Sequence, residues 1–301
     1  MHHEVTLRLI DEIARAGSIR GAAEKMSITP SALNRRLLAI EGELEVQLFE
    51  RLATGVRLNA AGELFIVHAR RQMADMKRLR SQIEDLKGAR RGHVQIVYDT
   101  SLRRAGVLAA AMAAYQDDHP GVSFGVEVLS AEEIAPRLVG YRADLGVVLH
   151  PRTDSNLTTL ASAPAEIALV TRPGHPLARG GAVRFEALQS YPLVVPPEGS
   201  LRAILERTAR TRRLPLTPVL QADVDFARPR AAGGDAVGFE VDAGPAAARS
   251  PAPDGLARTP LSRQDVAAVY VHVVQLRDRP LSVAAGRFAE GIKQRFADLA
   301  G

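Results

Sequence analysis

A stretch of five residues, Gly88-Ala89-Arg90-Arg91-Gly92, separates two incompatible hydrophobic periods, and that break constrains the fold more than any other feature of the sequence. On its N-terminal side apolar residues recur at the three-and-four spacing of helices. Beyond it, short apolar runs of strand type alternate with helical stretches. One core cannot serve both patterns, and 301 residues exceed what a typical single core organises. The sequence therefore predicts a small head over residues 1–59, a linker and dimerisation helix over 60–87, a hinge over 88–92 and an α/β domain over 93–301.

Several classes of function fall away at once. Apolar residues make up 46% and charged residues 24% of the chain, the balance of a globular protein. No apolar run reaches the roughly 18–20 residues that span a bilayer. Glu4, Arg8, Asp11 and Glu12 interrupt the N-terminal apolar positions and leave no signal-peptide core, so no membrane partner is expected and the cytoplasm is the expected location. The absence of cysteine excludes disulfides, thiol nucleophiles and Cys-ligated zinc. The histidines show no metal-binding spacing, and nucleophile-elbow, dinucleotide and Walker motifs are missing. Neither catalysis nor a metal or cofactor is expected.

The head reads as a helix-turn-helix with a wing. Leu7, Leu9, Ile10, Ile13 and Ala14 mark a first helix that Gly17 ends, and Ser18 caps a short second one. Ser27 lies in the following turn. Thr29 is a good N-cap and Pro30 fits the first position of a third helix over 30–41. Ala32, Leu33, Leu37 and Ile40 of that helix point inward, leaving Ser31, Asn34, Arg35 and Arg36 outward. Guanidinium groups can read guanine and amides adenine in a major groove. An ordinary three-helix bundle fits the polar face equally well, but the next segment favours the first reading. Residues 50–58 form two short strands around a Gly-containing turn, with Arg51 and Arg57 placed to reach phosphate or the minor groove.

Asn59 then caps a long helix from 60 to 86. Along it Ile66, Ala69, Met73, Met76 and Ile83 approximate a coiled-coil seam, with Arg80 in the skipped position. Such a helix needs a partner for its apolar face, so a homodimer is expected. The charge balance agrees with a nucleic-acid-facing head: residues 1–93 carry 16 Lys and Arg against 12 Asp and Glu, and the remainder 23 against 22.

The stretches "GSIRGAAEKMSITPSALNRRLLAIEGELEVQLFER" (17–51) and "GVRLNAAGELF" (55–65) resemble the DNA-binding domain of LysR-type transcriptional regulators. The resemblance implies a winged helix-turn-helix in which Ser18, Ser27, Thr29, Pro30 and Ser31, together with Asn34, Arg35, Arg36, Arg51 and Arg57, meet double-stranded DNA. Three departures stand out. Thr29-Pro30-Ser31 replaces the family's usual Ser-Gln-Pro, Asn34 replaces a Ser, and Asn59 replaces a Thr at the linker-helix cap.

Beyond the hinge, strands are expected over 93–98, 122–129, 144–149, 166–171, 193–195, 219–224, 236–241 and 267–274. Helices are expected over 102–116, 131–139, 201–211 and 282–299. The alternation predicts two α/β lobes with a largely parallel sheet. "HPGV" (119–122), "ADLGVV" (143–148), "GHPLA" (174–178) and "DRPLSVAAGRFAE" (278–290) resemble the effector-binding domain of the same family, a fold similar to two-lobed periplasmic binding proteins. On that likeness lobe I spans about 93–161 and 266–301, and lobe II about 162–265. His175 has a structural role in its loop. Residues 225–260 match least, because Pro229 interrupts a helix interior and 243–255 has loop composition.

Loops at the carboxyl ends of strands hold ligands in such folds, and helix N-termini favour anions. Thr100, Ser101 and Leu102, then Ser130 and Val148, are the expected effector contacts of the first lobe. Pro197, Gly199, Ser200 and Phe226 are those of the second. The expected effector is a small molecule, and a carboxylate is the class those helix ends favour. The resemblance further implies a homodimer assembling into a homotetramer, an imperfect palindromic operator, and RNA polymerase as a further partner. A ligand-independent DNA-binding protein would leave two lobes without a task, and a two-lobed solute-binding protein would leave the head without one.

Overall fold

The computed structural model describes residues 2–86, 91–103, 106–150, 154–178, 180–243 and 255–300. Most of the expected hinge over 88–92, and all but the ends of the 243–255 loop, lie outside them. The chain divides into two compact units: residues 1–86 and, apart from the three-residue turn 140–142, residues 87–301.

The first unit runs α1 (His2–Ala16), α2 (Ile19–Lys25), α3 (Pro30–Glu43), β1 (Phe49–Leu52), β2 (Gly55–Leu58) and α4 (Ala60–Leu86). Each boundary has a local cause. Gly17 has φ +64° behind α1, the Ser18 hydroxyl accepts from Gly21 N, and Thr29 caps α3 by accepting from Ala32 N. Asn59 accepts from Gly62 N and donates its amide to the Gln47 carbonyl, fixing the start of α4. The core gathers Leu9, Ile10, Ile13, Leu33, Leu48 and Ile66. The wing β1–β2 docks on the α1–α2 turn. Val56 N donates to Gly17 O at 2.8 Å, and a Cβ on Gly55 would stand 2.2 Å from that same carbonyl.

This packing corrects the expected seam along α4. Ile66 and Ala69 are fully buried within the unit's own structure, so the stripe they mark covers the head and is not open to a second helix. Arg80 and Arg70 fasten the same side of α4 to α1, through Glu4 and through buried Asp11 at 2.6 Å. Met73 is half-buried. Met76 and Ile83 remain exposed, joined by Leu79 at 48% and Leu64 at 78% exposure. The free apolar face is therefore rotated from the expected one.

The second unit is built on β3 (Gly92–Asp99), β4 (Val122–Leu129), β5 (Leu145–Leu149), β6 (Leu157–Thr171), β7 (Leu193–Val195), β8 (Pro218–Gln221), β9 (Gly238–Ala243), β10 (Ala257–Pro260) and β11 (Val269–Leu276). Its helices are α5 (Val107–Asp118), α6 (Ala131–Val139), α7 (Ser200–Arg212), α8 (Val224–Ala232) and α9 (Val283–Ala300). The large sheet has the order β10-β6-β11-β5-β3-β4, with β9 also paired to β6, and β7-β8 form a separate parallel pair. Within the large sheet only β3–β4 and β3–β5 are parallel. The sheet is mixed rather than largely parallel, because β11 returns from the far half and inserts antiparallel between β5 and β6.

Three elements differ from their sequence readings. The strand expected over 166–171 begins at Leu157, and the expected lobe boundary at 161/162 falls inside it. The helix expected over 102–116 opens instead as a single 3-10 turn at Thr100–Leu102, and α5 starts after Gly106 at φ +68°. The nine-residue helix α8 runs from Val224 to Ala232, across the position where a break was expected. The sheet buries both faces. Ile96, Val147 and Leu149 join the main core, while Val97, Val148 and Val274 pack with Ile134 and Leu138 of α6 on the other side.

Candidate functional sites

On the first unit, α3 turns Leu33 and Leu37 into the core and leaves Thr29, Pro30, Ser31, Arg35 and Arg36 exposed. Neither Arg35 nor Arg36 has an ion-pair partner among the described residues. Thr29 and Ser31 share a hydroxyl–hydroxyl hydrogen bond of 3.2 Å. Asn34 is half-buried, and its carbonyl oxygen is shielded without a hydrogen-bond partner among the described residues. Ser18 spends its hydroxyl on the α2 cap, and Ser27 is exposed in the turn with φ +54°. In the wing, Arg51 faces Val56 across the ladder and has no acidic partner among the described residues. Arg57 lies opposite Glu50 and pairs with it at 2.8 Å.

The second unit holds a cavity of about 220 Å³ between the end of β3, the start of α7 and strand β9. Thr100, Ser101 and Pro197, three of the expected effector contacts, line it beside Pro196, Glu198 and Leu201. Asp223, Phe239, Glu240 and Val241 complete the wall. Hydrogen bonds cross the cleft beside it. The Ser200 hydroxyl donates to Asp99 Oδ2 at 2.7 Å, and Ser101 Oγ accepts from Leu201 N at 3.1 Å. Asp99 is fully buried and accepts also from Ser101 N and Leu149 N. At the rim, Arg103 pairs with Asp225 at 2.9 Å. Gly199 stands at φ +94°, a backbone conformation that favours glycine, while a Cβ there would meet Ser101 Oγ only at ordinary contact distance, 3.4 Å.

Four of the expected effector contacts lie elsewhere. Leu102 is fully buried in the core, and its carbonyl accepts from the Tyr98 hydroxyl at 2.8 Å. Burial, reinforced by the neighbouring Asp99 carboxylate, pushes that phenol well above its ordinary pKa, so it stays a donor. Val148 points to the α6 side, because its neighbours Val147 and Leu149 take the opposite face of β5. Ser130 is engaged at the start of α6, where its hydroxyl donates to Glu133 at 2.9 Å. Phe226 is 70% exposed and outside the cavity wall.

Behind the cavity Glu240 is ion-paired with Arg228 and, at 2.9 Å, with Arg258; Asp242 adds a second carboxylate to Arg258 at 3.4 Å. Sequence reading missed Asp99, Asp223 and Glu240; Asp99 and Glu240 are set by pairings between distant strands, and Asp223 by the loop before α8. Elsewhere, His150 and His272 stand with ring centroids 6.3 Å apart. His150 Nε2 meets the Ala268 carbonyl, and His272 Nδ1 the Ser162 hydroxyl at 2.8 Å. Burial holds both imidazoles below their ordinary pKa. His175 is buried against Tyr191, its Nδ1 accepting from Leu177 N, in a structural setting. Among the described residues no three acidic or imidazole groups converge on a metal position, and no helix is long and apolar enough to cross a membrane.

Comparison with known proteins matches two family models: "Bacterial regulatory helix-turn-helix protein, lysR family" over residues 5–63 and "LysR substrate binding domain" over 87–297. The HTH-type transcriptional regulator GbpR of Rhizobium radiobacter is 31% identical over 206 residues, 67% of each chain. The RuBisCO operon transcriptional regulator of Allochromatium vinosum is 27% identical over 202 residues, 67% of this chain and 66% of that one. The chain thus spans about two thirds of the curated relatives it matches. Among solved structures, full-length OxyR from Pseudomonas aeruginosa aligns with a TM-score of 0.71 at 19% identity, over 96% of this chain and 97% of that chain. Full-length CbnR in complex with its target DNA aligns with a TM-score of 0.66 at 17% identity, over 97% and 99%.

Proposed function

The chain belongs to the LysR family, and from that premise we propose that it is a sequence-specific transcriptional regulator of the cytoplasm, not an enzyme. Its winged helix-turn-helix reads double-stranded DNA, and a small-molecule effector in the cleft of the second unit controls that reading. The observation that carries this is that Arg35 and Arg36, on the exposed side of α3 opposite buried Leu33 and Leu37, have no ion-pair partner among the described residues. Two like charges left without carboxylate partners on a recognition helix are suited to phosphates and guanine edges.

The exposed residues Met76, Leu79 and Ile83 of α4 support a homodimer, which would place two recognition helices on an imperfect palindrome. Assembly to a homotetramer and contact with RNA polymerase extend the same reading by family analogy. The experiment is an anisotropy titration against DNA upstream of the protein's own gene, at two salt concentrations with nonspecific competitor. Competitor-resistant binding with a steep salt slope is expected. Absence even of nonspecific binding at low salt would overturn the DNA-binding reading.

A further inference from the structure

We propose that the cleft selects a small organic cation, an amine or amidine, over the carboxylate that helix ends alone would favour; this rests on the effector-controlled reading above. One donor of the α7 N-terminus is already taken from within. Ser101 Oγ accepts from Leu201 N, and the Ser200 hydroxyl is committed to Asp99. An incoming carboxylate would compete with Ser101 Oγ for Leu201 N and would sit close to buried Asp99, whose charge opposes it.

The remaining wall is acidic. Glu198, Asp223 and Glu240 line the cavity, and among the described residues no Lys, Arg or His does. Glu240 is compensated by Arg228 and Arg258. Glu198 has no partner among the described residues. Asp223 accepts from Asp225 N and Phe226 N through Oδ1 at the start of α8, leaving Oδ2 without a partner among them. Two further guanidinium groups are committed to other partners: Arg103 to Asp225, and Arg202 to Glu206 and the Pro196 carbonyl. Pro196, Pro197, Leu201, Phe239 and Val241 supply apolar wall, which strengthens the pull of the two uncompensated carboxylates.

A metal ion does not fit, since no three acidic or imidazole groups among the described residues converge on one point. The volume of about 220 Å³ is below the ~300–1,000 Å³ of drug-sized sites and suits a compact molecule.

The test uses the full-length protein and three probes of one shape: benzamidine, benzamide and benzoate, followed by calorimetry or ligand-observed NMR. Benzamidinium is expected to bind about tenfold or more tighter than the other two. Glu198→Gln should reduce that preference about fivefold. Asp223→Asn, in which Asn still caps α8, should do the same, and Glu198→Lys should turn the preference toward benzoate. Benzoate binding as tightly as benzamidinium, no saturable benzamidinium binding at millimolar concentration, or a preference unmoved by these variants would each overturn the assignment. Operator titration of the same preparations reports separately on the regulator reading, so the two can fail independently.

Discussion

The Ser200 hydroxyl donates to a carboxylate oxygen of Asp99 2.7 Å away, tying the first residue of α7 to the last of β3 across the cleft. Asp99 is fully buried and takes two backbone N–H bonds as well, from Ser101 and Leu149. Asp99→Ala would leave three donors without their acceptor and is expected to lower stability by about 2–3 kcal/mol, whereas Ser200→Ala removes one bond and costs about 1 kcal/mol. Urea unfolding of the two variants checks the order; equal losses would mean the backbone donors contribute nothing.

At the head, Arg35→Ala should weaken operator binding by about 1–3 kcal/mol with the unfolding midpoint unchanged. The wing gives an internal comparison. Arg51 has no acidic partner among the described residues, while Arg57 must leave Glu50 before it can serve a phosphate. Arg51→Ala is therefore expected to cost more affinity than Arg57→Ala. Anisotropy titrations of the three variants decide the matter, and an unchanged affinity for Arg35→Ala would remove it from the interface.

Along α4 two apolar positions have opposite fates. Ile66 is fully buried in the head, so Ile66→Ala should lose about 2–5 kcal/mol of stability. Leu79 is 48% exposed, so Leu79→Arg should leave the fold intact and shift the sedimentation coefficient toward the monomer. Retention of the dimer by Leu79→Arg would move the self-association surface elsewhere.

A pH dependence follows from His150 and His272. Burial is the main cause of both lowered pKa values. For His150 the Ala268 carbonyl opposes it and Arg207 adds to it; for His272 the second imidazole adds to it. The folded chain resists protonation, while the unfolded chain takes up protons near about pH 6.5. Their contribution is thus present above that pH and is lost as the pH falls below it. Stability should decline between about pH 7 and about pH 5.5, and less so in His272→Gln. Urea midpoints across that interval are the measurement, and identical slopes for both proteins would exclude the pair.

What the sequence revealed was what local chemistry determines. Asn59 and Leu86 bound α4 because a cap and a glycine-basic break are short-range signals. Long-range choices were hidden. Ile66 and Leu79 obey the same three-and-four spacing, so spacing alone cannot say which faces the head and which faces out. The run LGVVL in β5 is apolar throughout and shows no alternation to reveal that Val148 faces α6. Residues 157–165 of β6, rich in Thr, Ser and Ala, carry too little apolar pattern to mark a strand. In the cleft, Glu240 meets Thr100 and Ser101 only after the chain has paired β6 with β9.

The position of β11 also sets a timetable for the chain's synthesis. Its neighbour β5 ends at Leu149, yet β11 begins only at Val269, so about 120 residues must leave the ribosome before the two can pair. At ~5–20 residues per second that wait is on the order of ten seconds. Throughout it β5 presents an open, wholly apolar edge. Nascent chains caught in that interval are the species most exposed to misassembly, and chaperone demand should peak there, before β11 emerges.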